Sequence, residues 1–163
     1  MTTYPPIDIV QHWADANEHL IDLAGAIPAG KWNWSPEPRF WNFRGIFLHI
    51  IAARYYATKD EEVPDFWSGG QTTEGVQEHL RLSWEALSRF LADPASLDGP
   101  DPLIDAGPDP MFRGPDYRYP DVRNGHYVAW HRMVHDIHHR ADILHYLDVL
   151  GVDLSAIPRR APL

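Results

Sequence analysis

The chain has 163 residues, a formal charge of −9 at neutral pH, 44% hydrophobic residues and no cysteine. That length suits one domain with a full core, and the composition excludes a disordered chain. Zero cysteine excludes disulfides, zinc ribbons, iron–sulfur clusters and a protein thiol nucleophile, so any metal must be held by histidine and carboxylate.

Fourteen scattered bases against 23 acids argue against nucleic acid as a partner. The longest apolar run, Ile46 to Ala53, is short and holds His49, so no membrane span is expected. No basic and then apolar leader opens the sequence, and a cytoplasmic protein with a small-molecule or protein partner is the plain expectation.

Ile9, Trp13, Ala16, Leu20, Leu23 and Ile27 follow a 4-3-4-3-4 rhythm, the stripe of an amphipathic helix that Gly25, Pro28 and Gly30 bring to an end. Lys31 to Arg39, with Pro36 and Pro38, reads as an ordered loop whose Trp32 and Trp34 pack onto the domain. A second helix runs from about Phe40 or Asn42 to about Lys59, apolar nearly all round and therefore central. Asp60 to Gly70 reads as a connection. Thr72 or Thr73 caps a third helix with the stripe Val76, Leu80, Trp84, Leu87 and Leu91, ended by Asp93-Pro94.

Asp93 to Gly125 holds seven prolines, four glycines and seven aspartates, and reads as one long irregular connection. Connections of that length are often binding loops or lids, and a short hairpin around Gly114-Pro115 is expected within it. A fourth helix runs from about His126 to Leu150, with Gly151 placed as the glycine that follows a helix end. The expected fold is all-α, most simply a four-helix bundle with a long irregular loop between helices 3 and 4.

The candidate chemistry lies in the last helix. His135 and His139 are four residues apart and lie about 40° apart on one face, so both imidazoles can reach one divalent ion. Asp142, three residues on, can be a ligand, a partner for a ring N–H, or a base near the site. His49, in the most apolar helix and beside the small residues Gly45, Ala52 and Ala53, is the best third ligand. The set His131, His135 and His138 is a geometric rival. His131, His138 and His145 also form a stripe at intervals of seven that reads as a solvated or interface face. His12, His19, His79 and His126 read as structural. Tyr56 and Tyr146, seven residues after His49 and His139, are candidate substrate-binding residues that core packing explains equally well. Arg140 points away from the histidine face, toward an acid or an interface.

Other chemistries have no motif here. None of the seven glutamates is followed three residues later by histidine, which excludes a ferritin-like di-iron site. His-Glu-x-x-His, Gly-x-Ser-x-Gly, a P-loop and Gly-x-Gly-x-x-Gly are all absent from the sequence.

Leu48-His49-Ile50-Ile51-Ala52, together with His135-Asp136-Ile137-His138-His139-Arg140-Ala141-Asp142, resembles the DinB-like family of metalloenzymes. Trp32-Asn33-Trp34-Ser35-Pro36 is similar to that family's connection between its first two helices. The resemblance implies an up-down-down-up bundle, often a homodimer, with the metal on His49, His135 and His139. It also implies thiol-dependent transferase or isomerase activity. The family often continues its last histidine with arginine, glycine and glutamine, whereas Ala141 and Asp142 stand here, so those reactions do not transfer directly.

The expectation is a metal-dependent enzyme holding zinc, nickel or iron, in which Asp142 is the candidate catalytic base. It would act on a small electrophile with water or a low-molecular-weight thiol cosubstrate. The competing expectation is a non-catalytic dimeric bundle, with or without metal, serving as a binding or stress-response module.

Overall fold

A computed structural model describes residues 9–58, 64–99 and 124–158, and within them the chain is all-α: six helices and no strand. The helices are α1 (Ile9–Ala26), α2 (Phe43–Thr58), α3 (Phe66–Gly69), α4 (Thr73–Ala92), α5 (Pro94–Asp98) and α6 (Gly125–Val149). A 3₁₀ turn at Leu154–Ala156 follows. The expected hairpin around Gly114-Pro115 lies outside the described residues.

Two connections hold helices that apolar periodicity does not reveal. Asp65 caps the single turn α3 by accepting from Ser68 N–H, and Asp93 both ends α4 and caps α5 by accepting from Ala95 N–H. One-turn helices are too short to carry a stripe, so their signal is the cap alone.

The ends of the long helices follow local chemistry. Thr72 caps α4, while the hydroxyl of the neighbouring Thr73 accepts from Trp32 Nε1 at 3.0 Å. Asn124 caps α6. Beyond Leu150, Gly151 adopts φ 74°, Gly151 N–H bonds to the Asp148 carbonyl and Val152 N–H to that of Leu147. This paired closure needs the left-handed conformation that glycine adopts without strain. At the start of α2, the N–H groups of Phe43 and Arg44 donate to the carbonyls of Trp34 and Trp32, and Gly45 N–H donates to Asn42 Oδ1. The tryptophan loop is thereby docked on the helix, with Trp32 tilted against Phe47 at 5.6 Å.

α1 and α2 each pack against both α4 and α6. The apolar core falls into two parts. The larger includes Leu20, Leu23, Phe43, Phe47, Ile50, Leu80, Ile143 and Leu147; the smaller joins Trp13, Ala57, Leu87, Phe90 and Val128. Between them, Asn17, Arg54, Ser83 and Asp136, one from each long helix, are almost wholly buried. Such a polar layer survives burial only if its members bond to one another. Among the described residues no helix is long and apolar enough to cross a membrane.

α5 meets the first turn of α6 closely. A Cβ at Gly125 would lie 2.1 Å from the Ser96 carbonyl oxygen and 2.6 Å from Leu97 Cα, both backbone atoms. At Gly25 on α1 the nearest atom is the flexible amide end of Gln77 at 3.2 Å. Gly125→Ala should therefore lower stability by about 1–3 kcal/mol. Gly25→Ala should cost less and stay within about 1 kcal/mol of the wild type, since alanine's better helix propensity offsets the small shift of Gln77 Nε2, which bonds to the Ile21 carbonyl. Urea unfolding of both variants checks the pair, and equal losses would contradict the packing described.

Candidate metal centre

α2 and α6 bring three imidazoles together. One ring nitrogen from each of His49, His135 and His139 falls within 4.8 Å of the other two. The ring centroids of His49 and His135 are 4.5 Å apart, those of His135 and His139 4.6 Å, and those of His49 and His139 5.1 Å. The rival set of His131, His135 and His138 does not converge in this way among the described residues.

The outward-facing nitrogens are backed by carboxylates. His139 Nδ1 lies 3.1 Å from Asp142 Oδ2, and His135 Nδ1 lies 3.3 Å from Asp136 Oδ1. On the inner side, His135 Nε2 and His49 Nε2 are 2.6 Å apart. Two lone pairs at that distance would repel, so one of the two nitrogens carries a hydrogen that it donates to the other.

Electrostatics favour the neutral forms of His49 and His139. Burial, then the neighbouring His135, His139 and Arg132, push the His49 pKa down to about 3. Burial and His135 lower His139 to about 4, against the opposing hydrogen bond and charge of Asp142. Burial by itself would raise the Asp136 carboxyl, but the Arg54 guanidinium and the hydrogen bonds from His135 and Trp13 outweigh it and hold the group below its ordinary value. Three imidazoles with no sulfur among them are a donor set that suits zinc, nickel or iron better than magnesium or calcium. The residues present therefore fit a divalent transition-metal ion.

Two cavities flank the triad and share Trp41, His138 and His139 as a wall. One, about 460 Å³, is lined by His49, His131, Val134 and His135 beyond that wall. The other, about 560 Å³, reaches Glu37, Arg39, Phe40, Asp142, His145 and Tyr146. Both fall in the size range of small-molecule sites. Tyr146 is buried and lines the larger cavity; burial and the nearby Asp142 raise its pKa, so its hydroxyl keeps its proton.

Tyr56 is 55% exposed and lines neither cavity, although it shares a helix face with His49. Two helical turns carry it about 10 Å along the axis, beyond the site. The stripe of His131, His138 and His145 is not a face apart, because each of the three borders one or both cavities. Arg140 lies on the core side of α6 and is buried, and it forms no ion pair with an acid among the described residues.

Two residues carry more of the site than their sequence context suggests. Trp41, 46% exposed, stands edge-on to His49 at 4.7 Å and stacks with His139 at 6.3 Å. Its position before α2 resembles any loop aromatic. Asp136 is fully buried beside His135, and the legible signal was a pair of opposite charges at core-facing positions, Arg54 in α2 and Asp136 in α6. No protein-family model, curated protein or solved structure matches the chain.

The lowered histidine pKa values make a signed prediction. The unfolded rings take up protons near pH 6.5, whereas the folded rings resist protonation until about pH 3–4. The unfolded state binds more protons in that window, so this stability is full above about pH 6.5 and is lost as the pH falls toward 4. The Tm of chelator-treated protein should fall across that range, and less steeply in His49→Gln. Identical pH slopes in the two proteins would show that His49 is not held neutral by the fold.

Proposed function

We propose that this chain is a metal-dependent enzyme of the DinB-like kind, in which His49, His135 and His139 hold one divalent cation. The observation that carries the reading is the convergence of three imidazoles from two helices on the lining of one cavity, with His139 also bordering a second. A cation bound there supplies Lewis acidity toward a water, a thiol or a substrate carbonyl.

The chain's own residues divide the remaining work. Asp136 and Asp142 orient the two rings of α6. Asp142, at the rim of the larger cavity, is placed to take a proton from an incoming nucleophile. Tyr146, with its proton retained, donates a hydrogen bond to a substrate oxygen in the same cavity. Trp41 shields the rings from bulk water on one side. The substrate is a small electrophile, and the reaction is hydrolysis or a transfer or isomerisation assisted by a low-molecular-weight thiol. Any sulfur nucleophile must be a cosubstrate, because the chain has no cysteine.

The proposed bundle runs up-down-down-up. Phe43–Tyr146 and Arg54–Asp136 oppose α2 and α6, Ile21–Gln77 and Trp13–Trp84 oppose α1 and α4, and Arg54–Leu80 followed by the Ala57–Leu87 cluster aligns α2 with α4. The protein is proposed to be cytoplasmic and homodimeric. Exposed Trp130 and Val134, one turn apart on α6, favour association and also the second reading, a non-catalytic metal-binding dimer.

Metal analysis of untagged protein tests the reading. About one equivalent of zinc, nickel or iron is expected, falling below about a tenth in His49→Ala with the helical circular dichroism retained. Wild-type protein with less than about a tenth of an equivalent after reconstitution would defeat the proposal. With metal present, turnover of ester or thiol-plus-electrophile substrates that drops in Asp142→Asn supports the enzyme. No turnover across that panel supports the binding module.

A further inference from the structure

The donors around the Asp136 carboxylate are unevenly shared between its two oxygens. Trp13 Nε1 and Arg54 Nε both lie 2.9 Å from Oδ2. Neither group can accept in return, since an indole N–H only donates and a guanidinium stays charged. Arg54 is held from its far side as well, with Nη1 donating to Asn17 Oδ1 at 2.6 Å and to the Leu80 carbonyl at 3.3 Å. The carboxylate plane cannot turn without breaking buried hydrogen bonds, and this leaves Oδ1 facing His135 Nδ1 at 3.3 Å. A carboxylate oxygen only accepts, so Nδ1 carries the hydrogen, and in the neutral ring Nε2 then carries the lone pair. Nε2 is the atom directed at His49.

We propose that Asp136 is a positioning residue that locks His135 in its Nδ1–H tautomer, and that Trp13 and Arg54 set the lock by occupying Oδ2. The consequence for a cation rests on the function proposed above, whereas the tautomer does not. The two ligands of α6 are then backed unequally. His135 leans on a carboxylate fixed in the core, and His139 on Asp142, whose side chain is 38% exposed at a cavity rim.

Asp136→Asn is the informative variant. Trp13 and Arg54 demand an acceptor where Oδ2 stood, so the amide oxygen settles there and the NH₂ group faces His135 Nδ1. The amide then donates, the ring shifts its hydrogen to Nε2, and the lone pair leaves the cation side. Nitrogen-15 NMR of metal-free protein should report Nδ1–H for His135 in the wild type and Nε2–H in Asp136→Asn. Zinc affinity should fall by about 10–100-fold.

Removing one charge leaves Arg54 buried and unpaired, which can unfold the chain. The double variant Arg54→Met/Asp136→Leu removes both charges at similar volume and should stay folded. It should still lose about 10–100-fold in zinc affinity, because His135 has lost its acceptor. An Nε2–H His135 in the wild type would overturn the lock. Unchanged zinc affinity in a folded variant would overturn its link to the cation. Wild-type protein that binds no zinc would count against the function proposed above, while the NMR result would still decide the tautomer.

Discussion

Arg54 and Asp136 form an ion pair at 2.9 Å with neither side chain exposed to solvent, and much of the architecture is arranged around it. Two charges taken out of water are tolerated when most of their hydrogen-bonding capacity is met, as it is here for all but Arg54 Nη2, and breaking such a pair from one side typically costs about 3–5 kcal/mol. Three of the four long helices place a side chain on the pair, Trp13 and Asn17 from α1, Arg54 from α2 and Asp136 from α6, and α4 adds the Leu80 carbonyl. Apolar contacts on either side would tolerate small slips of one helix along another. A pair that must meet at one point does not, and so it selects one register.

That register decides where the histidines fall. With Arg54 on Asp136, the preceding residue of α6, His135, is carried against α2 one to two turns before Arg54, where His49 stands. His139 follows one turn along α6 on the same side. The polar layer is thus continuous with the triad through the Asp136 carboxylate, whose second oxygen is turned to His135. Stability and site geometry share a side chain.

Much of this was legible in the residues. The stripe of α1 from Trp13 to Ile27 is buried as its rhythm requires, α2 is buried on nearly every side, and Gly151 closes α6. Periodicity reads well where a helix has enough turns to show a face. The single turns α3 and α5 have none, and only Asp65 and Asp93, each able to cap, mark them. Of the site, the i, i+4 pair His135 and His139 and the anomalous His49 stand out in the sequence. Trp41 does not, because its role comes from the loop carbonyls that dock the start of α2 and carry it over the rings.

By itself the sequence determined the helical class, the exclusion of cysteine chemistry and the pairing of two histidines on one helix face. Each follows from composition or from the fixed geometry of a single helix. Which third histidine joins them, which carboxylate backs which ring, and that Tyr56 stands away from the cavities while Tyr146 lines one were decided by the tertiary structure. These depend on the rotation and register of one helix against another. Such variables are set by a buried charge pair between residues 82 positions apart, and no local pattern encodes them.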